Sequence, residues 1–250
     1  GYFFKNVREI FEADDLTIVN LEGPLTTAKR FKDKQFAFKG DPKYVKILTE
    51  GSVEAANLAN NHAKDYYGKG LTDTASALRK VGVAPFGWGK TAILDIKGVK
   101  VGLCGFGVWY VSKSQMQKQI KSLKKECDLV IASFHWGEEG EGRALKVQKE
   151  YGRAAVNAGA GLVLGHHPHV VGGVEVYLKN GFRNRRSPEY LTIHGLPPDA
   201  TNETHEDWVR RIHPEDREGV ERAFIDAVAN GAVDYTAEYR IIRPSDGAVR

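Results

Sequence analysis

Side chains of the types that bind metal ions follow an apolar run in GLVLGHHPHV, residues 161–170. Neutral imidazole is the commonest metal ligand in proteins, and this stretch carries His166, His167 and His169. Pro168 restricts the residue before it to extended backbone. We therefore expect His167 and His169 to project to one side and His166 to the other. The pair predicts a metal site, and a solvated histidine-rich loop is the alternative that this stretch alone leaves open.

Three other apolar segments end in further candidate ligands. LTIVNL is followed by Glu22, VEAANLA leads into Asn61 and His62, and CDLVIASF delivers His135. Carboxylate and amide oxygens and imidazole nitrogens bind divalent metals, and a histidine beside them can act as an acid. Each residue alone is typical of a turn or a core position. Their common place after a strand favours one joint site.

The elements that must position these residues alternate between apolar strands and amphipathic helices. The spacing of apolar residues predicts helices over residues 3–13, 41–48, 69–81, 117–125 and 144–158. Apolar runs predict a strand in each ligand-bearing segment, with Leu162 to Leu164 buried, and a further strand in VEVYL. TAILDIKGVKVGLCGFG predicts a hairpin that turns at Lys97-Gly98. This order is typical of α/β proteins, which build one site from several strand ends.

The composition limits the partners and the compartment. The 250 residues carry a formal net charge of +4, with cationic residues spread along the chain, so we expect no nucleic-acid partner. No apolar run approaches the roughly 20 residues of a membrane helix, and no signal-peptide pattern is present. The sequence begins with Gly1 rather than methionine, which leaves room for a removed signal or anchor, and the localisation stays unknown. Cys104 and Cys127 are expected to be free, buried thiols.

Four motifs occur in order along residues 1–178: DLTIVNLEGPLT, ANLANNHAKDYYGKGL, DLVIASFHWGEE and GAGLVLGHHPHVVGGVEVY. Together they resemble the bacterial capsule and poly-γ-glutamate biosynthesis family of the CapA type, which is similar to calcineurin-like metallophosphoesterases. The resemblance implies an α/β fold for this domain, a sandwich of two sheets flanked by helices that is truncated at its N-terminus. It also implies a metal centre at the strand ends.

The resemblance implies a role for each candidate residue. His62 would be the catalytic acid or the residue that polarises the phosphate, whereas His166 occupies a position that the family leaves variable. The implied substrate is a phosphoester or is related to an anionic polymer, and the implied partner is a capsule-synthesis membrane complex. The implied location is the cell envelope or the extracellular face. A divalent transition metal, manganese, iron or zinc, would be bound by Glu22, Asn61, His135, His167 and His169.

Departures from the family pattern leave enzymatic activity an open question. The strand with a GD-type motif that supplies the first metal aspartate is missing, Tyr67 stands where the family has glycine, and no SLGNFVF-like strand follows VEVY. We expect metal-dependent phosphoester hydrolysis in capsule or poly-γ-glutamate biosynthesis, with a metal-activated water and a histidine acid. The alternative is a metal-binding assembly component of polymer synthesis that does not hydrolyse its ligand.

The last part of the chain carries a second, unrelated resemblance. After a basic junction at residues 179–186 come SPEYLTIHGLPPDA, HEDWVRRIHPEDREGVERAFIDAVANG and YTAEYRIIRPSDGAVR. These segments resemble the middle and late parts of a PAS sensor domain of the PAS fold-3 type. The resemblance implies a partial α+β domain over residues 187–250 and a third class of function, a signalling or dimerisation module that forms a homodimer. Two partial modules in one chain are also typical of a chimera or an artificial fusion.

Overall fold

The computed structural model describes residues 2–173, 175, 177, 184–185, 188–198, 200, 202–203, 205–229 and 237–250. The chain divides into two units, residues 1–173 and 174–250. Each unit has an apolar core of its own, so each is described separately. The junction predicted for residues 179–186 lies largely outside the described part of the chain.

The first unit contains two sheets whose strands run mostly parallel. The three-stranded sheet is parallel and has the order β1 (Ile18–Asn20), β2 (Ala55–Asn57) and β3 (Ala84–Phe86). The four-stranded sheet has the order β4 (Thr91–Ile96), β5 (Val99–Gly107), β6 (Leu129–His135) and β7 (Leu162–His166). In this sheet β4 pairs with β5 antiparallel, and the remaining neighbours pair parallel. Parallel neighbours need crossover connections, which explains why helices separate them in the sequence.

Helices lie against both sheets of the first unit. They are a 3-10 turn (Pro42–Val45) that leads into α2 (Lys46–Glu50), α3 (Tyr67–Lys80), α4 (Lys113–Leu123) and α5 (Lys146–Ala158). The first helix, α1 (Arg8–Ala13), contributes no buried residue. The helix predicted over residues 3–13 begins only at Arg8. Among the described residues, no helix has the length and apolar character required to cross a membrane.

Three apolar clusters define the layers of the first unit. Phe86 of the first sheet and Leu103 of the second belong to the cluster between the two sheets. Phe134 belongs to a second cluster, in which α4 and α5 pack on the other face of the four-stranded sheet. Leu78 of α3 and Ala56 of β2 belong to the third cluster, on the other face of the three-stranded sheet. The α/β sandwich of two sheets flanked by helices, implied by the family resemblance, is confirmed.

The predicted hairpin joins β4 to β5. It turns at Lys97 (φ 51°) and Gly98 (φ 88°), as the sequence predicts. Two consecutive residues in the left-handed region match the right-handed twist of the flanking strands, and glycine reaches this region without steric cost. β5 also carries Cys104, which is a free and buried thiol as predicted, and so is Cys127.

The prediction that Leu162 to Leu164 form a buried strand is only partly right. These residues lie in β7, but the side chain of Leu162 is 44% exposed and those of Val163 and Leu164 are half-buried. In the described part of the chain β7 pairs only with β6, so it is an edge strand that lacks cover on one side. Most of the predicted VEVYL strand, residues 174, 176 and 178, lies outside the described residues.

The second unit is a small α+β fragment. Its described elements are β8 (Asn184–Arg185), α6 (Pro188–Ile193), β9 (Asn202–Glu203), α7 (His205–Arg211) and α8 (Arg217–Ala229). Trp208 and Val220 are buried in its core, and the Trp208 indole N–H donates a hydrogen bond to the Tyr239 hydroxyl at 2.9 Å. A bridge between Ile242 and Val249 closes a turn at RPSDG, residues 243–247. This architecture is consistent with the PAS-like fragment implied by the second resemblance.

Candidate metal centre

Three of the predicted ligands converge at the ends of three strands. Glu22 lies two residues after β1, His135 is the last residue of β6, and His167 follows β7. One donor atom of each side chain lies within 4.8 Å of the donor atoms of the other two. His135 is fully buried, whereas Glu22 and His167 are half-buried. We call Glu22, His135 and His167 the inner group.

Asn61 approaches the inner group from the loop after β2. Its side-chain oxygen lies 2.8 Å from Nε2 of His135, and the same nitrogen lies 3.6 Å from Oε1 of Glu22. The preceding residue, Asn60, holds this loop in place. Its side-chain oxygen accepts hydrogen bonds from the backbone N–H groups of His62 and Ala63, and its amide donates to the carbonyl of Leu21 at 2.9 Å. The two adjacent asparagines therefore have different roles, because Asn60 shapes the loop and Asn61 faces the inner group.

The second predicted pair, His167 and His169, meets a residue that the sequence analysis did not single out. Donor atoms of Glu139, His167 and His169 lie within 4.8 Å of one another, and we call these three residues the outer group. Glu139 and His169 are exposed. The backbone N–H of Gly140 donates to the carbonyl of Pro168 at 2.8 Å, which holds the two loops side by side. The HWGEE motif contained Glu139, but the residue follows its strand by four positions rather than directly.

The backbone of the histidine loop differs from the sequence-based expectation. His167 has a φ of 103° and His169 a φ of 58°, so the expected extended conformation of His167 is wrong. Non-glycine residues in this region cost of order 1–3 kcal/mol each and persist where the surroundings fix them. His166 pairs with His135 across β6 and β7, so it lies beside the inner group.

Buried imidazole nitrogens without a hydrogen-bond partner test whether these residues fit a metal ion. Within the described ranges, Nδ1 of His135, Nε2 of His166 and Nδ1 of His167 are all buried and unpartnered. Buried polar atoms without partners are costly, and a cation held by the inner group could satisfy that of His167. His135 faces Glu22 and Asn61 with its other nitrogen, Nε2, and His166 belongs to neither group. Burial lowers the pKa of His135 to about 3, and the neighbouring His167, His166 and His169 add to this effect. The neutral imidazole that binds metals is thus favoured, and the donor set fits a divalent transition metal.

His62 lies beside the inner group and is held in place by Asp65 and Phe38. Its Nδ1 lies 2.8 Å from Oδ2 of the buried Asp65, while its Nε2 lies 3.9 Å from Oε1 of Glu22. The ring stacks on Phe38 with 4.1 Å between centroids, and Lys34 forms a 2.5 Å ion pair with Asp65. The carboxylate fixes the ring so that Nε2 faces the inner group. The spacing of three residues between His62 and Asp65 was the available signal for this contact.

Trp109 forms an aromatic wall beside the two buried histidines. Its ring meets those of His135 and His167 edge-on, with centroids 5.9 Å and 5.1 Å apart. The side chain remains 53% exposed, so its outer part faces solvent at the mouth of the site. This arrangement places an aromatic ring beside the inner group and leaves a surface that a ligand can contact.

Comparison with known proteins identifies two sequence families in the chain. Residues 1–188 match the family described as bacterial capsule synthesis protein PGA_cap, and residues 184–250 match the family described as PAS fold. These matches confirm both resemblances seen in the sequence.

Curated relatives match the first part of the chain. The chain is 31% identical over 199 residues to the PGA biosynthesis protein CapA of Bacillus subtilis, a match that covers 70% of this chain and 52% of the relative. It is 31% identical over 206 residues to the capsule biosynthesis protein CapA of Bacillus anthracis, covering 70% and 50%. It is 26% identical over 199 residues to a probable polyglutamine synthesis accessory protein of Mycobacterium tuberculosis, covering 66% and 52%. The chain spans about half the length of these relatives.

Proposed function

Because the chain belongs to the bacterial capsule synthesis protein family PGA_cap, we propose that its first unit is a metal-dependent phosphoesterase of capsule or poly-γ-glutamate biosynthesis. The relatives named for capsule and PGA biosynthesis support the biosynthetic setting. The observation that carries the hydrolytic part is the inner group, whose three donor atoms lie within 4.8 Å beside buried, unpartnered imidazole nitrogens.

The ligands of the proposed metal divide between the two groups. Glu22, His135 and His167 would hold an ion on the buried side, with Asn61 next to His135. Glu139 and His169 would extend the centre toward solvent through the shared His167. Nitrogen and oxygen donors of this kind suit manganese, iron or zinc without selecting one of them. When bound, the metal supplies Lewis-acid chemistry that activates water and polarises a phosphoryl oxygen.

Residues of the protein would transfer the proton and orient the substrate. Nε2 of His62 points toward Glu22, and Nδ1 contacts the Asp65 carboxylate. His62 could therefore donate a proton from Nε2 to the leaving oxygen. The Asp65 carboxylate holds the ring in this orientation. Trp109 lines the mouth of the site and would limit the orientations that a substrate can adopt.

The metal content of the purified chain tests this proposal. Mass spectrometry should find a near-stoichiometric transition metal in the parent protein and much less in His167→Ala/His169→Ala, because this variant removes donors from both groups. His213→Ala in the second unit is the control and should keep the metal. The parent should also hydrolyse a generic phosphodiester, bis(p-nitrophenyl) phosphate, and lose this activity on chelation. A folded, metal-free parent protein would contradict the proposal.

A metal-binding assembly component of polymer synthesis is the second candidate. The observation that favours it is the exposure of Glu139 and His169, since solvent-exposed donors bind a second ion weakly. A chain that holds one metal per molecule but hydrolyses no phosphodiester at any concentration of added metal would support this candidate over the first.

For residues 184–250 we propose a signalling or dimerisation role of the PAS type. The match to the PAS fold and the core around Trp208 support it. Ile225 on α8 is 38% exposed and offers an apolar contact. Sedimentation of the full chain should find concentration-dependent dimers that Ile225→Glu weakens. A chain that remains monomeric at all accessible concentrations would argue against dimerisation.

A further inference from the structure

One of the cationic stretches of the chain lies between β1 and the 3-10 turn. Residues 29–39, KRFKDKQFAFK, which we call the basic segment, contain five cationic residues and a single acid, Asp33, so their net charge is +4. Residues 113–125 are another such stretch, with five lysines and no acid. The cationic residues are therefore clustered locally rather than spread evenly along the chain. Clustered charge of one sign attracts ligands of the opposite sign.

The basic segment places its charges on the surface together with apolar rings. It has no helix or strand, and Phe31, Phe36 and Phe38 are 53%, 61% and 45% exposed. Arg30 lies over the ring of Tyr67 at 4.9 Å. Of the described residues, no carboxylate forms an ion pair with the side chain of Lys29, Arg30, Lys32 or Lys39.

Asp65 fastens the basic segment next to the candidate catalytic acid. The Asp65 carbonyl accepts a hydrogen bond from the backbone N–H of Lys32 at 2.8 Å, and its carboxylate accepts one from the N–H of Phe38 at 2.8 Å. The same carboxylate pairs with Lys34 and contacts His62. Since Phe38 also stacks on the His62 ring, the segment forms one wall of the site.

A neighbouring cation extends the positive surface. The ammonium group of Lys64 lies 3.5 Å from the ring centroid of Trp88. Partial burial lowers the pKa of Lys64, and the charge of Lys32 lowers it further. Like charges placed together repel each other unless a counter-charge binds between them. The arrangement therefore favours an anionic ligand at this surface.

We propose that the basic segment binds a flexible polycarboxylate chain of glutamyl units at the surface beside His62. This inference rests on the proposed function, which it deepens by naming the polymer and the surface that receives it. Exposed phenylalanines alternate with the cations, and glutamyl side chains likewise place methylene groups between their charges. An inorganic polyphosphate offers no apolar surface to these rings, and single cations suit carboxylates spaced along a flexible chain.

Binding of fluorescent poly-γ-glutamate to the full chain tests the proposal by anisotropy. The variant Lys29→Gln/Arg30→Gln/Lys32→Gln removes three exposed charges and spares Lys34, which contacts Asp65. The matched control, Lys118→Gln/Lys121→Gln/Lys125→Gln, removes three exposed charges from α4 and the residues after it. At 0.1 M salt we expect the first variant to bind about tenfold or more weakly, and the control to bind within about twofold of the parent.

A second variant and two other polymers make the test specific. Phe36→Ser should weaken the binding that persists at high salt, because the exposed ring contributes an apolar contact that salt does not screen. Equal losses in both triple variants would overturn the proposal, since they would reflect the overall charge alone. Tighter binding of polyphosphate or single-stranded DNA than of polyglutamate would also overturn it. Circular dichroism checks that all variants fold.

The outcome is distinguishable from that of the metal experiment. Polymer binding is measured on the parent protein before and after chelation, and metal content is measured on each triple variant. If the parent holds no metal but only the first variant binds polyglutamate more weakly, the surface assignment stands and the phosphoesterase proposal fails. If the metal and hydrolysis are present but the first variant binds polymer as well as the control, the surface assignment fails alone.

Discussion

The inner and outer groups of the candidate metal centre share His167 but are held by different parts of the fold. Glu22 and His135 lie at the ends of hydrogen-bonded strands, and His135 is fully buried. Glu139 and His169 are exposed and lie on loops joined by the hydrogen bond from Gly140 to Pro168. Ligands on rigid elements are positioned with less loss of entropy when a metal binds. We therefore expect the inner group to bind first and more tightly.

Removal of His135 should have the largest effect on this difference. In His135→Ala, the metal affinity of the inner group should fall by more than about a hundredfold, because losing even a residue that only supports a ligand costs about 10–100-fold. Calorimetric titration with Mn²⁺ and Zn²⁺ measures the affinity, and His213→Ala serves as the control. An unchanged affinity in His135→Ala would show that the inner group does not hold the metal.

A variant of Asp65 distinguishes the role of the proposed acid, His62, from that of the metal ligands. In Asp65→Asn, kcat for phosphodiester hydrolysis should fall by up to about a hundredfold, the lower end of what an acid catalyst contributes, while the metal content stays the same. The reason is that His62 loses the carboxylate that orients its ring. Asp33→Asn, at an exposed position, is the control; a matching fall in kcat there would refute the role given to Asp65.

Glu139 tests the outer group directly. In Glu139→Gln, a second metal-binding event should weaken by about tenfold, and the first should be unaffected, because an exposed ligand contributes less than a buried one. Glu138→Gln is the matched control, since Glu138 is the exposed neighbour and belongs to neither group. Titration of each variant with Mn²⁺ gives both affinities. Identical curves for the two variants would remove Glu139 from the centre.

The pH dependence of the metal-free protein gives the smallest expected effect. The pKa of His135 is about 3 in the folded protein, well below the ordinary value of 6.5, so the unfolded chain binds this proton more readily. The stabilising contribution is present above pH 6.5 and is lost as the pH falls toward 3. The slope should reach about 1.4 kcal/mol per pH unit at most, and His135→Gln should reduce it. Urea unfolding of the chelated protein at several pH values measures this slope, and a slope that His135→Gln leaves unchanged would assign it to other groups.

Much of the fold followed from periodicity in the sequence. Apolar runs located β1, β2, β5 and β6, and the Lys97-Gly98 turn located the hairpin, because both signals are local. The exposure of Leu162 could not be predicted, because burial of a strand depends on which neighbours pair with it. The left-handed conformation of His167 opposed the local preference of a residue before proline.

The site was predicted in its residue types but not in its contacts. Glu22, Asn61, His135, His167 and His169 were all identified by their positions after strands, whereas Asp65 and Glu139 were not. Asp65 acts through the Lys32 backbone, the Phe38 backbone and the Lys34 side chain, all of which lie about 30 residues earlier in the chain. Contacts between distant segments leave no periodic signal in the sequence.

The sequence by itself determined the alternation of strands and helices and the polar residues that follow each strand, because both depend on local spacing and residue type. Only the tertiary structure decided that donors from Glu22, His135 and His167 come within 4.8 Å, and that Glu139 joins His169 in a second group. The physical reason is that the packing of the two sheets places the carboxyl end of β1 beside the carboxyl ends of β6 and β7, however far apart they are in the chain. The burial that keeps His135 neutral arises only when the layers pack around it.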